Sequence, residues 1–329
     1  IYVLASIGCA FTHSVESLIL MRLLQAIGGC VGMVAAQALV RDLFPVNKSA
    51  QVFSLIILVI AVSPMIAPTI GGYVTAAFGW HWVFIILAGI ALLIMAAVYF
   101  YLPLGKKADS TISLKPRSVL ANYFVVSKQP QFLIYTLAGG IAMAGPFAYI
   151  VGSSDVYMNI YGLTEQQYGW AFALVAFGMI GTTQLNHLLL RHFKSESLIK
   201  VALFYQTIVG VTLVGGLLYT GYDIFGFTAL VFLFVAGHGI MSPNVTALSM
   251  APFTKHAGSA SALLGSFRLG VGAVVSALVS LLHDGTSLPM AIIMLMCSLI
   301  GLIILNSGNA VVKYRARRVD AEREVSVLV

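Results

Sequence analysis

Residues 257–282 read AGSASALLGSFRLGVGAVVSALVSLL, an apolar run broken by a single charge, Arg268. A helix needs about 20 apolar residues to cross the hydrocarbon core of a bilayer, and this run supplies them without a proline or an acid. Ala262, Ser266 and Gly270 recur at one-turn intervals and form a small-residue stripe that lets a second helix approach closely. Arg268 lies two residues from Ser266, about 200° around the helix, and so points away from that contact. A charge inside a membrane helix is costly unless it faces a cavity or finds a partner. The stretch therefore predicts a membrane fold and marks Arg268 as a candidate functional position within it.

The rest of the chain has the same character. Of its 329 residues 60% are hydrophobic and 9% charged, with mean hydropathy +0.97, whereas soluble domains carry about 25% charged residues. Nine apolar runs are long enough to span, at 17–40, 51–74, 80–103, 131–154, 165–190, 198–220, 224–249, 257–282 and 288–308. Ahead of them, Ile1 to Phe11 is apolar and uncapped. As a helix it reaches only about 16 Å at ~1.5 Å per residue, half a membrane. It lacks the basic n-region of a secretory signal and reads as the remainder of a helix that begins upstream. Cys9, Cys30 and Cys297 lie in apolar stretches with neither disulfide nor metal-ligand spacing, and read as packing residues.

The net charge of +7 raises the question of a nucleic-acid partner, and its distribution answers it. Numbering the breaks between spans puts sixteen of the eighteen basic residues on one side, from Arg41 and Lys48 through Lys106, Lys115 and Arg191 to Lys255 and the tail beginning at Lys313. Glu16, Asp155, Glu165, Asp223 and Asp284 lie on the other side, with no lysine or arginine. That alternation is the signature of cytoplasmic loops in a multi-pass membrane protein, and it leaves no basic surface for nucleic acid. The C-terminus is then cytoplasmic.

Six spans follow the long basic loop at 104–130, so two six-helix halves are expected. The boundaries are 1–103 for what remains of an N-terminal bundle, 104–130 for a cytoplasmic central loop, 131–312 for a C-terminal six-helix bundle and 313–329 for a basic cytoplasmic tail. Two helices and part of a third are missing on this reading. Gly28 with Ala38-Leu39 recurs as Gly237 with Ala247-Leu248, a faint internal echo of one half in the other.

Arg22 and Arg268 are the charges well inside the spans, and no carboxylate accompanies either. Water or a group outside this sequence must neutralise them if they face a cavity; bonding to backbone carbonyls at helix breaks is the structural alternative. Gln25 lies one turn from Arg22, so the two can line one polar patch. His238, Ser242, Pro243 and Asn244 form a polar break in another span, with His238 and Ser242 on one face and Pro243 freeing the carbonyl of Gly239. His238 is either a satisfied core group or a proton carrier. Tyr149 and Asn244 are further cavity candidates. Pro64, Pro68, Gly71 and Gly72 in one span, like Pro243 in another, predict bends and close packing, as a hinge or as static kinks. Asp155, past Ser153-Ser154, reads as a solvated cap or as a collector of cations at an entrance.

Three stretches carry a family resemblance. Arg22-Leu-Leu-Gln25-Ala26-Ile-Gly28-Gly29 resembles the fourth-helix motif of major facilitator drug exporters, and Ala67-Pro68-x-x-Gly71-Gly72 resembles their fifth-helix antiporter motif. Ala26 and Ala67 stand where glycine is usual. His256-Ala-Gly-Ser-Ala-Ser-Ala-Leu-Leu-Gly-Ser-Phe-Arg268-Leu-Gly-Val-Gly-Ala is similar to the eleventh helix of the bicyclomycin and chloramphenicol resistance (Bcr/CflA) branch. The resemblance implies an all-α membrane fold of two six-helix bundles around a central cavity, with helices three to twelve present. It implies export of drug-like small organic molecules across the bacterial inner membrane in exchange for protons, by alternating access. Arg22, Gln25, Tyr149, His238, Asn244 and Arg268 are then the expected cavity or coupling residues. In many relatives the coupling acid lies on the first helix, outside this sequence.

The expected partners are a small-molecule substrate, protons and the bilayer. No metal or cofactor is expected, the proton gradient being the energy source, and the chain is expected to act as a monomer. The alternatives are a metabolite or siderophore transporter of the same fold and a non-transporting remnant of an antiporter gene. A membrane enzyme is disfavoured because the spans carry no acid and no clustered histidines to serve as base or metal ligands.

Overall fold

The computed structural model describes residues 1–43, 46–101, 116–219, 221–253 and 256–327, with the backbone alone at positions within 31–65, 116–119 and 309–327. Every described element is helical, and two compact units emerge: residues 1–111 with 164–173, and residues 112–163 with 174–329. Each is taken by itself.

In the first unit, α1 (Tyr2–Ala10) packs on α2 (Val15–Leu43), and α3 (Val46–Phe78) turns into α4 (His81–Tyr101). Glycines set the α1–α2 spacing. A Cβ on Gly28 would lie 2.6 Å from the Tyr2 backbone nitrogen, and one on Gly8 would lie 2.6 Å from the Met21 sulfur. This unit also contains the first turns of α8 (Glu165–Leu189). There the Thr69 hydroxyl donates to the Gly169 carbonyl at 3.2 Å, and a Cβ on Gly72 would meet the Glu165 carbonyl oxygen at 2.6 Å. Gly72 is thus a contact glycine. Gly71, beside it, has open space where its Cβ would be. Pro68 lies within α3 next to the Gly169 contact; the side chain of Pro64 lies outside the described residues.

The second unit contains α5 (Pro116–Ser127), α6 (Pro130–Ala142), α7 (Gly145–Asp155), the remainder of α8, α9 (Ser195–Tyr219), α10 (Ile224–Met250), α11 (Ala257–Leu281) and α12 (Leu288–Val327). Its core joins α6, α9, α10 and α12 through Tyr135, Ala138, Ile199, Leu203, Met241, Val245 and Leu305. A Cβ on Gly301 of α12 would sit 2.8 Å from the Ala138 carbonyl oxygen of α6, so small residues fix this crossing too.

The structure departs from the sequence reading in several places. The span expected at 131–154 is two helices with a break at 143–144. Pro146 removes a backbone donor and obstructs the preceding turn, which ends α6. The span also runs on to Ile160, through a π turn at Val156–Ile160. Val156 and Tyr157 are buried there, and the Tyr157 hydroxyl donates to Thr228 at 3.0 Å. Asp155 is therefore not a cap: it lies inside a continuing helix, accepts from Asn159 at 2.7 Å and faces His283 at 3.6 Å.

The segment 104–130 contains the helix α5, and its residues up to 115 lie outside the described set. The tail from 313 continues α12 as helix to Val327. Cys30 is exposed rather than packed, whereas Cys9 and Cys297 are buried.

Among the described residues, seven helices are long and apolar enough to cross a membrane: 81–101, 130–160, 165–189, 195–219, 224–250, 257–281 and 288–308. The other two expected spans coincide with α2 and α3, where some side chains lie outside the described set. Large apolar side chains face outward on these helices, Leu93 at 73% exposure and Leu281 at 80%. In a bilayer such a surface is solvated by lipid, while helical bonding satisfies the backbone.

Candidate functional site

The polar residues of the second unit converge around the middle of α10. Pro243 interrupts the hydrogen-bond ladder of that helix, and side chains take up the slack. Thr246 donates to the Ser242 carbonyl at 2.8 Å and accepts from Arg268 Nη2 of α11 at 2.9 Å. Asn244, buried, donates to the Ile240 carbonyl at 2.8 Å and to Asn186 Oδ1 of α8 at 2.6 Å. One turn earlier, a Cβ on Gly239 would collide with the Met179 carbonyl oxygen, and Thr182 donates to the Ala236 carbonyl at 2.5 Å. Three helices are thus stitched together at the proline.

Arg268 and His238 keep unspent hydrogen-bonding capacity at this junction. Arg268 is half-buried, and its Nε has no partner among the described residues. His238 Nδ1 likewise has none, and His238 lies on the same helix as Thr246, the residue to which Arg268 is bonded. Two cationic or protonatable groups with free valences inside an apolar bundle can bind a polar or anionic group, or respond to a proton; in lipid, such groups are functional by default. Tyr149, on α7, is buried to 2% exposure.

In the first unit, Arg22 Nη1 donates to Gln25 Oε1 at 2.5 Å, and the Arg22 guanidinium carbon lies 5.7 Å from the centre of the Phe84 ring. Gln25 is buried and donates to Ser6 Oγ of α1 at 2.6 Å, while Ser6 donates to the Tyr2 carbonyl at 2.8 Å. The spacing of Arg22, Gln25 and Gly28 therefore has a direct meaning. The arginine orients the glutamine, the glutamine ties α2 to α1, and the glycine lets the two backbones meet. Arg22 itself is exposed. Elsewhere in this unit, α3 and α4 form an open apolar groove of about 760 Å³, with Ser63, Ala67 and Gly71 on its wall. That volume is in the range of drug-sized sites.

The family model for the Major Facilitator Superfamily matches residues 1–277. The chain belongs to the Major Facilitator Superfamily. It is a membrane transporter, not an enzyme. A bicyclomycin resistance protein homolog from Haemophilus influenzae is 32% identical over 88% of this chain and 73% of its own length. A chloramphenicol resistance protein from Pseudomonas aeruginosa is 25% identical over 99% of this chain and 76% of its own. Multidrug resistance protein MdtL from Escherichia coli is 24% identical over 93% and 76%. Among solved structures, a bacterial homolog of the human lysosomal transporter Spinster, inward-facing and unoccupied, superposes with a TM-score of 0.64 at 15% identity, covering 94% of this chain and 79% of its own. That likeness establishes the major facilitator fold.

The six residues singled out from sequence fall into two sets in this transporter. Arg22 and Gln25 are bonded to each other in the first unit; Tyr149, His238, Asn244 and Arg268 belong to the second. Gln25, Tyr149 and Asn244 are buried, while Arg22, His238 and Arg268 retain accessible surface. Asn186, Thr246, Ser6 and Phe84 were not singled out. Thr246 follows Ser242 by one turn, a spacing visible in the sequence; the partners of Asn186 and Ser6 lie on other helices, and no spacing reveals them.

Proposed function

We propose that this transporter exports drug-like small organic molecules across the bacterial inner membrane in exchange for protons, by alternating access. The observation that carries the proposal is the Arg268 junction. A guanidinium bonded to a neutral threonine, its Nε without a partner among the described residues, reaches from α11 to the helix that carries His238, in a chain whose relatives include proteins named for bicyclomycin, chloramphenicol and multidrug resistance. Arg268 supplies the polar contact to substrate, His238 the protonatable neighbour, and the proline of α10 the local freedom to rearrange around them. The one-sided distribution of lysine and arginine supports a cytoplasmic C-terminus.

The test is accumulation of chloramphenicol and of bicyclomycin in cells that lack their own exporters and express this chain. Lower accumulation, restored to the level of the empty host by a protonophore, is the expected result. Accumulation unchanged by expression, or lowered regardless of the protonophore, counts against proton-driven export.

A further inference from the structure

The helix α5 is too short to span a membrane, yet one of its faces is apolar and uncovered. Arg117, Leu120, Ala121, Phe124, Val125 and Lys128 are all exposed, Leu120 at 65% and Phe124 at 62%. At about 100° per residue these positions share one face of the helix and its continuation. Val126 points the opposite way and is fully buried, in a cluster with Phe132 of α6 and with Ala260 and Leu264 of α11. The helix is therefore held to the bundle by its inner face, and it presents outward a stripe with a cation at each end.

The ammonium of Lys128 sits 4.3 Å from the centre of the Phe124 ring, a cation held over the aromatic part of the stripe. Lys106, Lys107 and Lys115 precede the helix, and no acidic residue occurs between Asp109 and Asp155. The stripe ends at Lys128, two residues before the span that opens at Pro130, so it lies at the level of the membrane surface. A solvated helix gains nothing from such a face, whereas an interfacial helix gains from both its parts.

We propose that α5 is an interfacial anchor, with Leu120, Phe124 and Val125 set into the leaflet on the basic side and with Arg117 and Lys128 binding the headgroups of acidic phospholipids there. This site is separate from the Arg268 junction and does not depend on what the protein transports. Its ligand is the phosphodiester of an anionic lipid such as phosphatidylglycerol.

The test places a nitroxide at Leu120→Cys or Phe124→Cys in the full chain carrying Cys30→Ser, whose other two thiols are buried. The protein is reconstituted in phosphatidylcholine vesicles with and without an equal share of phosphatidylglycerol. With phosphatidylglycerol, the label should collide with oxygen and be shielded from a water-soluble nickel chelate. In phosphatidylcholine alone, or with the exposed cations replaced as Arg117→Gln and Lys128→Gln, chelate collisions should rise severalfold. Equal shielding in both lipids would overturn the headgroup role, and equal exposure in both would overturn the anchor. An immobilised label shielded from both reagents would mean that protein covers the stripe, and would overturn the proposal as well.

Discussion

Thr246 decides how firmly Arg268 is placed, because its hydroxyl is both the acceptor of the guanidinium and the donor to the Ser242 carbonyl beside Pro243. Thr246→Val keeps the shape and removes both bonds. Interhelical polar bonds in membranes contribute about 0.6 kcal/mol on average and up to about 1.7, so a modest fall in thermal stability is expected. Transport should fall further than stability does, and Thr246→Ser should restore it; a valine variant that transports normally would remove Arg268 positioning from the mechanism. Arg268 was legible in sequence because a lone charge in an apolar run stands out. Its partner was not, because a threonine in a helix is unremarkable until a second helix arrives. The same holds for Gln25 and Ser6: the glutamine declared itself beside Arg22, and the serine did not.

At the scale of elements, the spans follow from the length a bilayer demands, and their loops from the chemistry of reversal. Gly79, Gly162, Gly221 and Gly285 each have positive φ, and each closes a connection on the acidic side of the alternation. Nothing comparable marked the π turn at Val156–Ile160, since its extra residue is accommodated by burial against α10 and not by any local composition. The helix α5 escaped notice for a related reason: a stripe over 12 residues is invisible to a reading that looks for runs of membrane length. Glycines test the helix crossings directly. Gly239→Ala drives a methyl into the Met179 carbonyl and Thr182, and overpacking of this kind costs about 1–3 kcal/mol. Gly265→Ala, where nothing lies within 4 Å of the new Cβ, should be neutral or stabilising by up to about 1 kcal/mol through helix propensity. Unfolding of the two purified variants compares them; equal stabilities would contradict a close α8–α10 contact at Gly239.

For the whole molecule, the fold was legible from hydropathy, from the one-sided placement of lysine and arginine, and from three motif stretches, and the Major Facilitator family model covers 277 residues of it. The convergence of Asn186, Asn244, Thr246, His238 and Arg268 was not legible, because hydropathy counts spans without saying which faces meet. That junction gives the proposed exchange of drug for proton its physical content: a polar contact for substrate and a protonatable side chain within an apolar helical bundle. The most direct measurement uses the purified chain in liposomes with a pH-sensitive dye inside and chloramphenicol supplied on one side. Proton-coupled export predicts saturable proton movement opposite to the drug, reduced at least tenfold, the equivalent of about 1.4 kcal/mol, by Arg268→Gln. Drug flux with no proton counterflow, or proton movement that is the same with and without drug, would contradict it.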